Sequence, residues 1–375
     1  MRLLISGGGT GGHVYPALSV TQELHPQNDE LLWIGGIGGM ERSLVERASI
    51  PYTEIETGQL RGINPLRALG NITRMILGVR QSLQIIKEFQ PNVCFVTGGY
   101  VCAPVVIACR MRKIPVVIYL PDMKPGWAIQ GLSKLAQRVA ISFPEVASYF
   151  GGLYPQGKGV VTGYPVRAAL VEAAKDRQGA RQALAETLDM PSLSTDMASV
   201  VLVFGGSRGA RSINQAIWSN LLGLVDHAHI LHVIGERDWP IYEAQADTLA
   251  GASSERYHPV AYLHDEMTLA LAAANLSVAR AGASTLGEFP VAQLPSILVP
   301  LPFAGVNQME NAQALTAHGA AILLLDENLE TDLLPMLVDC LTDEHQRSQM
   351  EAVLRELAKP EAALNIAELL KSVIV

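Results

Sequence analysis

Short apolar runs alternate with stretches of helical periodicity along the whole chain. In the first half the runs at 3–6, 31–34, 93–97, 116–120, 138–142 and 160–162 read as strands. The segments between them read as helices, which predicts βαβ units and a parallel sheet. The pattern stops at Gly163-Tyr164-Pro165-Val166-Arg167, crosses a polar, Ala-rich stretch, and restarts at 200–204. Later strand-like runs fall at 229–234, 257–261, 276–279, 296–299 and 321–324. Each half opens with strand, glycine-rich loop and helix. The expectation is an α/β chain of two Rossmann-like, doubly wound parallel-sheet domains facing a cleft. The first domain is expected over 1–166 and the second over 167–358, with a last helix, 361–375, that could pack back on the first.

Size agrees with two domains, because 375 residues exceed what one core usually serves. A content of 49% apolar and 17% charged residues is that of a globular protein. Cys94, Cys102, Cys109 and Cys340 show no C-x-x-C spacing, so neither a zinc site nor a disulfide framework is indicated. The glycine loop follows the N-terminal apolar run so closely that no signal-peptide core fits, and no run approaches the ~18–20 residues of a membrane span. A soluble or peripheral protein is expected. The net charge of −8 hides an asymmetry. Residues 1–167 carry 16 Lys and Arg against 10 Asp and Glu, whereas residues 168–375 carry 12 against 26. A basic first half on an acidic chain points to phosphate groups or an anionic membrane surface.

The first loop is Gly7-Gly8-Gly9-Thr10-Gly11-Gly12-His13, between the run at 1–5 and a helix expected over 15–24. Such a loop offers backbone N–H groups to an anion, and His13 adds a group that titrates near neutral pH. Gly7-x-Gly9-x-x-Gly12 has the spacing of a dinucleotide fingerprint. That fingerprint needs an acid at the end of the second strand, where this chain has Gly35-Gly36-Ile37-Gly38-Gly39 and no acid before Glu41. A nicotinamide site is therefore disfavoured, and no P-loop motif occurs. A long helix over 64–89 repeats Leu66, Leu69, Ile72, Met75, Ile76, Val79, Leu83 and Ile86 at helical spacing, with Arg67, Arg74, Arg80 and Lys87 between them. It reads either as a core-facing helix with a solvated basic face or as a surface for anionic lipid. The basic residues lack interleaved aromatics, so nucleic-acid binding is not indicated.

The second half repeats the device at Gly205-Gly206-Ser207-Arg208-Gly209-Ala210. It adds Arg280-Ala281-Gly282-Ala283-Ser284-Thr285-Leu286-Gly287-Glu288 at another strand end. Hydroxyls there suit phosphate, and a carboxylate one turn into a helix can accept bonds from both hydroxyls of a ribose. The amides of Asn307, Gln308 and Asn311, with Glu310, follow the strand end Val299-Pro300 and suit hexose hydroxyls. Together these features describe a nucleotide-sugar site.

Several motifs in fixed order resemble the MurG family of bacterial peptidoglycan N-acetylglucosaminyltransferases, which convert lipid I to lipid II at the cytoplasmic membrane face. They are Gly8 to Leu18, Thr97-Gly98-Gly99-Tyr100-Val101 with Pro104, Thr162-Gly163 with Pro165-Val166-Arg167, and Gly205-Gly206-Ser207 with Gly209-Ala210-Arg211 and Asn214. Arg280 to Glu288 and Leu294-Pro295-Ser296-Ile297-Leu298-Val299-Pro300 complete the series. The resemblance implies a GT-B fold and an inverting transfer of GlcNAc from UDP-GlcNAc to the C4 hydroxyl of the MurNAc of polyprenyl-linked lipid I. It implies that Thr10, Gly11 and Gly12 meet the donor, that Arg167 and Ser207 contact its diphosphate or sugar, and that the backbone at 263 and His264 reads the uracil. Ala283, Ser284, Thr285, Leu286, Gly287 and Glu288 would hold phosphate and ribose, and Gln308 and Asn311 the GlcNAc hydroxyls. It also places the membrane-facing patch on the first domain, where the helix carrying Arg67 to Lys87 lies. The chain departs from the family's His-Glu-Gln-Asn run, having Tyr119-Leu120-Pro121-Asp122 before Gly126. Asp122 thus stands where a donor-contacting Asn is implied. Tyr164, Arg208 and Asn307 replace an Asn, a Gln and a Gln.

Two groups are candidates for the general base, His13 first and Asp122 second. No D-x-D motif occurs, so no metal or cofactor is expected. The leaving diphosphate would be met by N–H groups at helix starts with Arg167 and Arg208. The competing readings are a GT-B transferase acting on another lipid, such as diacylglycerol, and a nucleotide-sugar-binding protein without transfer activity.

Overall fold

The computed structural model describes residues 1–24, 28–58, 65–206, 209–250, 255–303 and 307–374; for 65–69 and 250 the backbone alone is described. The chain divides into two compact units, Met1–Pro165 with Glu361–Val375, and Val166–Pro360.

The first unit holds β1 (Arg2–Gly7), β2 (Glu30–Gly36), β3 (Tyr52–Ile55), β4 (Val93–Gly98), β5 (Val116–Leu120), β6 (Arg138–Ile141) and β7 (Gly159–Val161). They form one sheet in the order β3-β2-β1-β4-β5-β6-β7, every neighbouring pair parallel. Helices cover both faces of such a sheet, so inner strands are apolar at every position; Leu3, Leu4, Ile5, Val93, Phe95 and Val96 are fully buried. Strand β3 is absent from the apolar pattern because Tyr-Thr-Glu-Ile alternates and lies at the sheet edge, with only Ile55 buried. The terminal helix Ala362–Ser372 packs on the helix after β1, burying Ala363, Ile366, Ala367 and Leu370, and Asn365 Nδ2 donates to the Thr162 carbonyl at 3.3 Å.

The second unit holds β8 (Ser199–Phe204), β9 (Ala228–Val233), β10 (Tyr257–Val260), β11 (Leu276–Ala279), β12 (Ser296–Leu298) and β13 (Ala321–Leu323), in the order β10-β9-β8-β11-β12-β13, again all parallel. Its core is an aliphatic cluster that includes Val201, Ile213, Ile217, Leu224, Ile230, Val278 and Leu333.

In each sheet the chain reverses direction of winding at its first strand. Strand β1 has β2 on one side and β4 on the other, and β8 has β9 and β11. At such a point the loops leaving adjacent strands diverge and open a crevice beyond their carboxyl ends, where ligands of doubly wound sheets bind. The glycine loops after β1 and β8, and the loops after β4 and β11, all leave from these two points.

Four helices of the first unit matter below: α1 (Gly11–Gln22), α2 (Glu41–Arg47), α3 (Pro65–Phe89) and α4 (Cys102–Met111). Helix α1 begins at Gly11, earlier than the start expected at 15, so Pro16 lies in its second turn. The loop is correspondingly shorter: Gly7 ends β1, and Gly11, Gly12 and His13 form the first turn of α1. Helix α3 does not bury one continuous apolar stripe. Gly78, Ser82 and Ile86 face inward, while Ile72, Ile76 and Leu77 are exposed with Arg74, Arg80 and Lys87. The inward face is set by Gly78, where a Cβ would lie 2.1 Å from the Glu56 carbonyl oxygen. The Arg67 side chain lies outside the described residues. No described helix is long and apolar enough to cross a membrane.

Candidate active site

In the first unit the site is built around His13, at the start of α1 beside the end of β4. The Thr97 hydroxyl donates to the His13 carbonyl at 2.5 Å. The His13 ring lies over Gly98, where an added Cβ would meet Nδ1 at 2.5 Å and Cε1 at 2.6 Å. Gly98 and Gly99 have φ of +129° and +94°, and the Gly8 N–H donates to the Gly98 carbonyl at 3.1 Å. Glycine is required there by close approach and by left-handed backbone together. Burial pushes the imidazole below its ordinary pKa, and the Asp122 charge, then the Thr97 backbone, pull it back upward. Burial thus favours the neutral imidazole, with Asp122 as the nearby charge that opposes it. Thr10 is the residue before α1, in extended conformation, and leaves its hydroxyl out of the helix cap. Thr10 and Gly12 are exposed at the mouth of the loop.

A residue not anticipated as part of the site organises this loop. Glu41, at the start of α2, is 2% exposed. Its Oε2 accepts from the Gly9 N–H at 3.1 Å and its Oε1 from the Gly36 N–H at 3.0 Å. The first glycine loop therefore does not present the Gly9 amide to an external anion, as its sequence suggests; a side-chain carboxylate of the protein fills that place. The signal available in the sequence was an acid opening a helix just after Gly35-Gly36-Ile37-Gly38-Gly39.

Two departures from the family motif touch one another. The rings of Tyr119 and Tyr164 pack edge-on at 6.2 Å, and the buried Tyr119 hydroxyl lies 3.4 Å from Ser142 Oγ. Both tyrosines are buried, so each forms part of the packing of this unit.

In the second unit three anticipated residues converge from separate segments. Arg167, just before the helix Ala168–Ala173, donates from Nη1 to the His264 carbonyl at 3.3 Å, and its Nη2 lies 3.8 Å from Glu288 Oε1. Burial raises the Glu288 carboxyl above its ordinary pKa, with Arg167 and the Ser284 hydroxyl opposing. The His264 N–H donates to Glu266 at 2.9 Å, which fixes the turn that presents its carbonyl.

The loop from Arg280 to Glu288 is more selective than its sequence implies. The N–H groups of Thr285, Leu286, Gly287 and Glu288 already bond the carbonyls of Gly282, Ala283, Ser284 and Ser284. Thr285 is buried and its hydroxyl donates to the Gly282 carbonyl at 2.7 Å. Leu286 and Gly287 are buried as well. An anion would meet the amides of Ala283 and Ser284, which make no backbone hydrogen bond among the described residues. Gln308 turns back so that Oε1 accepts from the Leu301 N–H at 3.0 Å. Asn311, expected to contact the sugar, is fully buried, and its Nδ2 donates to the Ala281 carbonyl at 3.2 Å. It supports the 281–284 loop from beneath. Ser207 and Arg208 lie outside the described residues.

Buried polar groups brace both loops of this switch point. Arg280 Nη2 donates to Ser212 Oγ at 2.7 Å and Nη1 to the Val299 carbonyl at 3.2 Å and to Asp326 at 2.5 Å. Behind the loop after β8, Asn214 Nδ2 donates to the Ile234 carbonyl and to Asp238 at 3.0 and 3.1 Å. Its Oδ1 must therefore accept from His232 Nε2, 3.0 Å away, leaving His232 Nδ1 to accept from the Tyr257 hydroxyl at 3.1 Å. Full burial holds His232 neutral, with a pKa lowered to about 3. Ser212, His232, Tyr257 and Asp326 were not legible as site supports, because their partners are distant in sequence.

Residues 3–141 match the glycosyltransferase family 28 N-terminal domain and residues 200–367 the glycosyltransferase family 28 C-terminal domain. The chain is 36% identical to a Roseiflexus protein named UDP-N-acetylglucosamine--N-acetylmuramyl-(pentapeptide) pyrophosphoryl-undecaprenol N-acetylglucosamine transferase, covering 100% of this chain and 95% of that one.

The chain belongs to the MurG branch of glycosyltransferase family 28.

A Listeria monocytogenes protein of the same name is 37% identical, with 100% and 99% of the two chains covered. The crystal structure of Acinetobacter baumannii MurG superposes with a TM-score of 0.77 at 25% identity, covering 99% of each chain. The UDP-GlcNAc 2-epimerase of Neisseria meningitidis, at 15% identity and a TM-score of 0.69, shares the fold. The two units are the two Rossmann-like domains of a GT-B glycosyltransferase.

Proposed function

We propose that this chain transfers GlcNAc from UDP-GlcNAc, with inversion, to the MurNAc C4 hydroxyl of undecaprenyl-pyrophosphoryl-MurNAc-pentapeptide, forming lipid II. One observation carries the reading: Arg167, the His264 carbonyl and Glu288 come together beside the carboxyl end of β11. A carboxylate of raised pKa suits the ribose hydroxyls, the turn at His264 offers backbone to a uracil edge, and Arg167 is placed for the diphosphate. The Ala283 and Ser284 amides add donors to phosphate, and Gln308 Nε2 a donor to the sugar.

The attacking hydroxyl must lose its proton as the C1–O bond to the diphosphate breaks. His13, neutral at physiological pH, takes that proton at a ring nitrogen, and Asp122 steadies the imidazolium that forms. General-base help of this kind contributes roughly 10²–10⁴-fold. Charge on the departing UDP is met by Arg167 and the helix-start amides, so the step needs no bound metal.

Attachment to an anionic membrane surface belongs to the same reading. Helix α3 exposes Ile72, Ile76 and Leu77 beside Arg74 and Arg80. Helix α4, packed against it, exposes Ile107 and Met111 beside Arg110, Arg112 and Lys113. Apolar side chains ringed by cations suit the headgroup boundary of a membrane.

The test is transfer of radiolabel from UDP-GlcNAc, in excess chelator, to a short-chain lipid I analogue or to diacylglycerol. Product with lipid I alone, undiminished by the chelator, is expected. Product with diacylglycerol alone would overturn the acceptor, and a loss restored by magnesium would overturn the metal-free step.

A further inference from the structure

We infer that Glu41 is a positioning residue for the reaction: its carboxylate is an internal anion that sets the first glycine loop and, through it, the place of His13. The inference rests on the reading that His13 works as the base.

The carboxylate is enclosed by glycines from two loops. A Cβ on Gly8 would lie 2.4 Å from its Cδ, and a Cβ on Gly39 would lie 2.2 Å from Oε1. Its two oxygens bond the amides of Gly9 and Gly36, one from the loop after β1 and one from the end of β2. Among the described residues it forms no ion pair, and its two described hydrogen bonds both come from backbone N–H groups. These contacts are specific in what they hold. Gly9 has φ +83°, a conformation that no Cβ contact enforces, since nothing lies within 4 Å of the place a Cβ would take. The bond to Oε2 is what pins its amide. Thr10 follows Gly9, and α1 begins at the next residue, so the direction in which α1 leaves the loop follows from that bond. His13 lies in the first turn of α1, with its ring packed on Gly98 so closely that a Cβ there would lie 2.5 Å from Nδ1.

The arrangement also decides what the loop cannot do. An incoming phosphate at Gly9 would meet a buried negative charge where the dinucleotide spacing promises a free amide. The carboxylate therefore turns an anion-binding turn into a rigid mount for a base.

The full-length protein is assayed with UDP-GlcNAc and a short-chain lipid I analogue, as wild type, Glu41→Gln and Glu41→Ala, with melting curves for each. Glu41→Gln keeps the shape but puts an NH₂ against one of the two amides. It is expected to lower kcat up to roughly 10²-fold, the cost of about 1 Å of misplacement, with KM for UDP-GlcNAc unchanged. Formate, fitting the space left in Glu41→Ala, is expected to restore part of its kcat in a concentration-dependent way and to leave Glu41→Gln unaffected. Wild-type kcat in Glu41→Gln would overturn the inference. So would a loss of kcat that tracks thermal stability and ignores formate. If Glu41→Ala does not fold, Gly39→Ala, which pushes on Oε1 without removing the charge, replaces it; unchanged kcat there would count against the inference. Absence of transfer by the wild type would instead sink the function reading, so the two failures are distinguishable.

Discussion

The imidazole of His13 rests on the α-carbon of Gly98, so closely that a Cβ there would come within 2.5 Å of Nδ1. One side chain and one missing side chain, on different strand-end loops of the same sheet, fix the position of the imidazole. Gly98→Ala is expected to abolish most transfer while the protein still folds, because the added methyl displaces the ring and strains a backbone at φ +129°. Circular dichroism and kcat measured together check this, and full activity in a folded variant would contradict it.

The acid limb of the pH–rate profile should reflect His13. Burial lowers its pKa, so the basic form persists below the ordinary imidazole value of about 6.5. Activity is then flat at neutral pH and falls only as His13 protonates at lower pH. Asp122 raises that pKa, so Asp122→Asn should move the limb further toward acid. A limb that stayed in place, or moved upward, would show that Asp122 does not act on the base.

Glu288→Gln should weaken the donor specifically. Hydrogen bonds to a charged group are worth about 1.5–3 kcal/mol, which corresponds to a rise in KM for UDP-GlcNAc of roughly tenfold or more. The KM for the lipid acceptor should not change. An equal rise in both would place the acid elsewhere in the reaction.

Binding to the membrane should depend on the exposed face of α3. Each basic residue near an anionic surface contributes about 1 kcal/mol, so Arg74→Glu with Arg80→Glu should reduce co-sedimentation with phosphatidylglycerol vesicles by at least tenfold. Binding to neutral phosphatidylcholine vesicles should be weak for both proteins. Undiminished binding of the double variant to the anionic vesicles would remove α3 from the attachment surface.

Much of the fold was legible because inner strands of a parallel sheet are apolar on both faces, and twelve of the thirteen described strands stand out as apolar runs. Strand β3 was not legible, since an edge strand of alternating Tyr-Thr-Glu-Ile looks like a loop. The start of α1 was placed too late because Gly11 and Gly12 were read as loop, whereas they begin the helix. His13, Arg167, His264 and Glu288 were singled out from motifs, and the structure brings the last three together through Arg167. That Asn311 is buried and holds the Ala281 carbonyl could not be read from its type. Glu41 was read only as an acid that comes too late after the second strand to hold a ribose. Its role depends on two amides brought together by the sheet, which no local pattern records.

The central claim, that the first glycine loop carries the base while the second unit holds the donor, is tested most directly by His13→Ala. Donor affinity by calorimetry and kcat are measured on the same preparation. Unchanged UDP-GlcNAc binding with kcat lowered roughly 10²–10⁴-fold is expected. Near-full kcat with donor binding unchanged would contradict it.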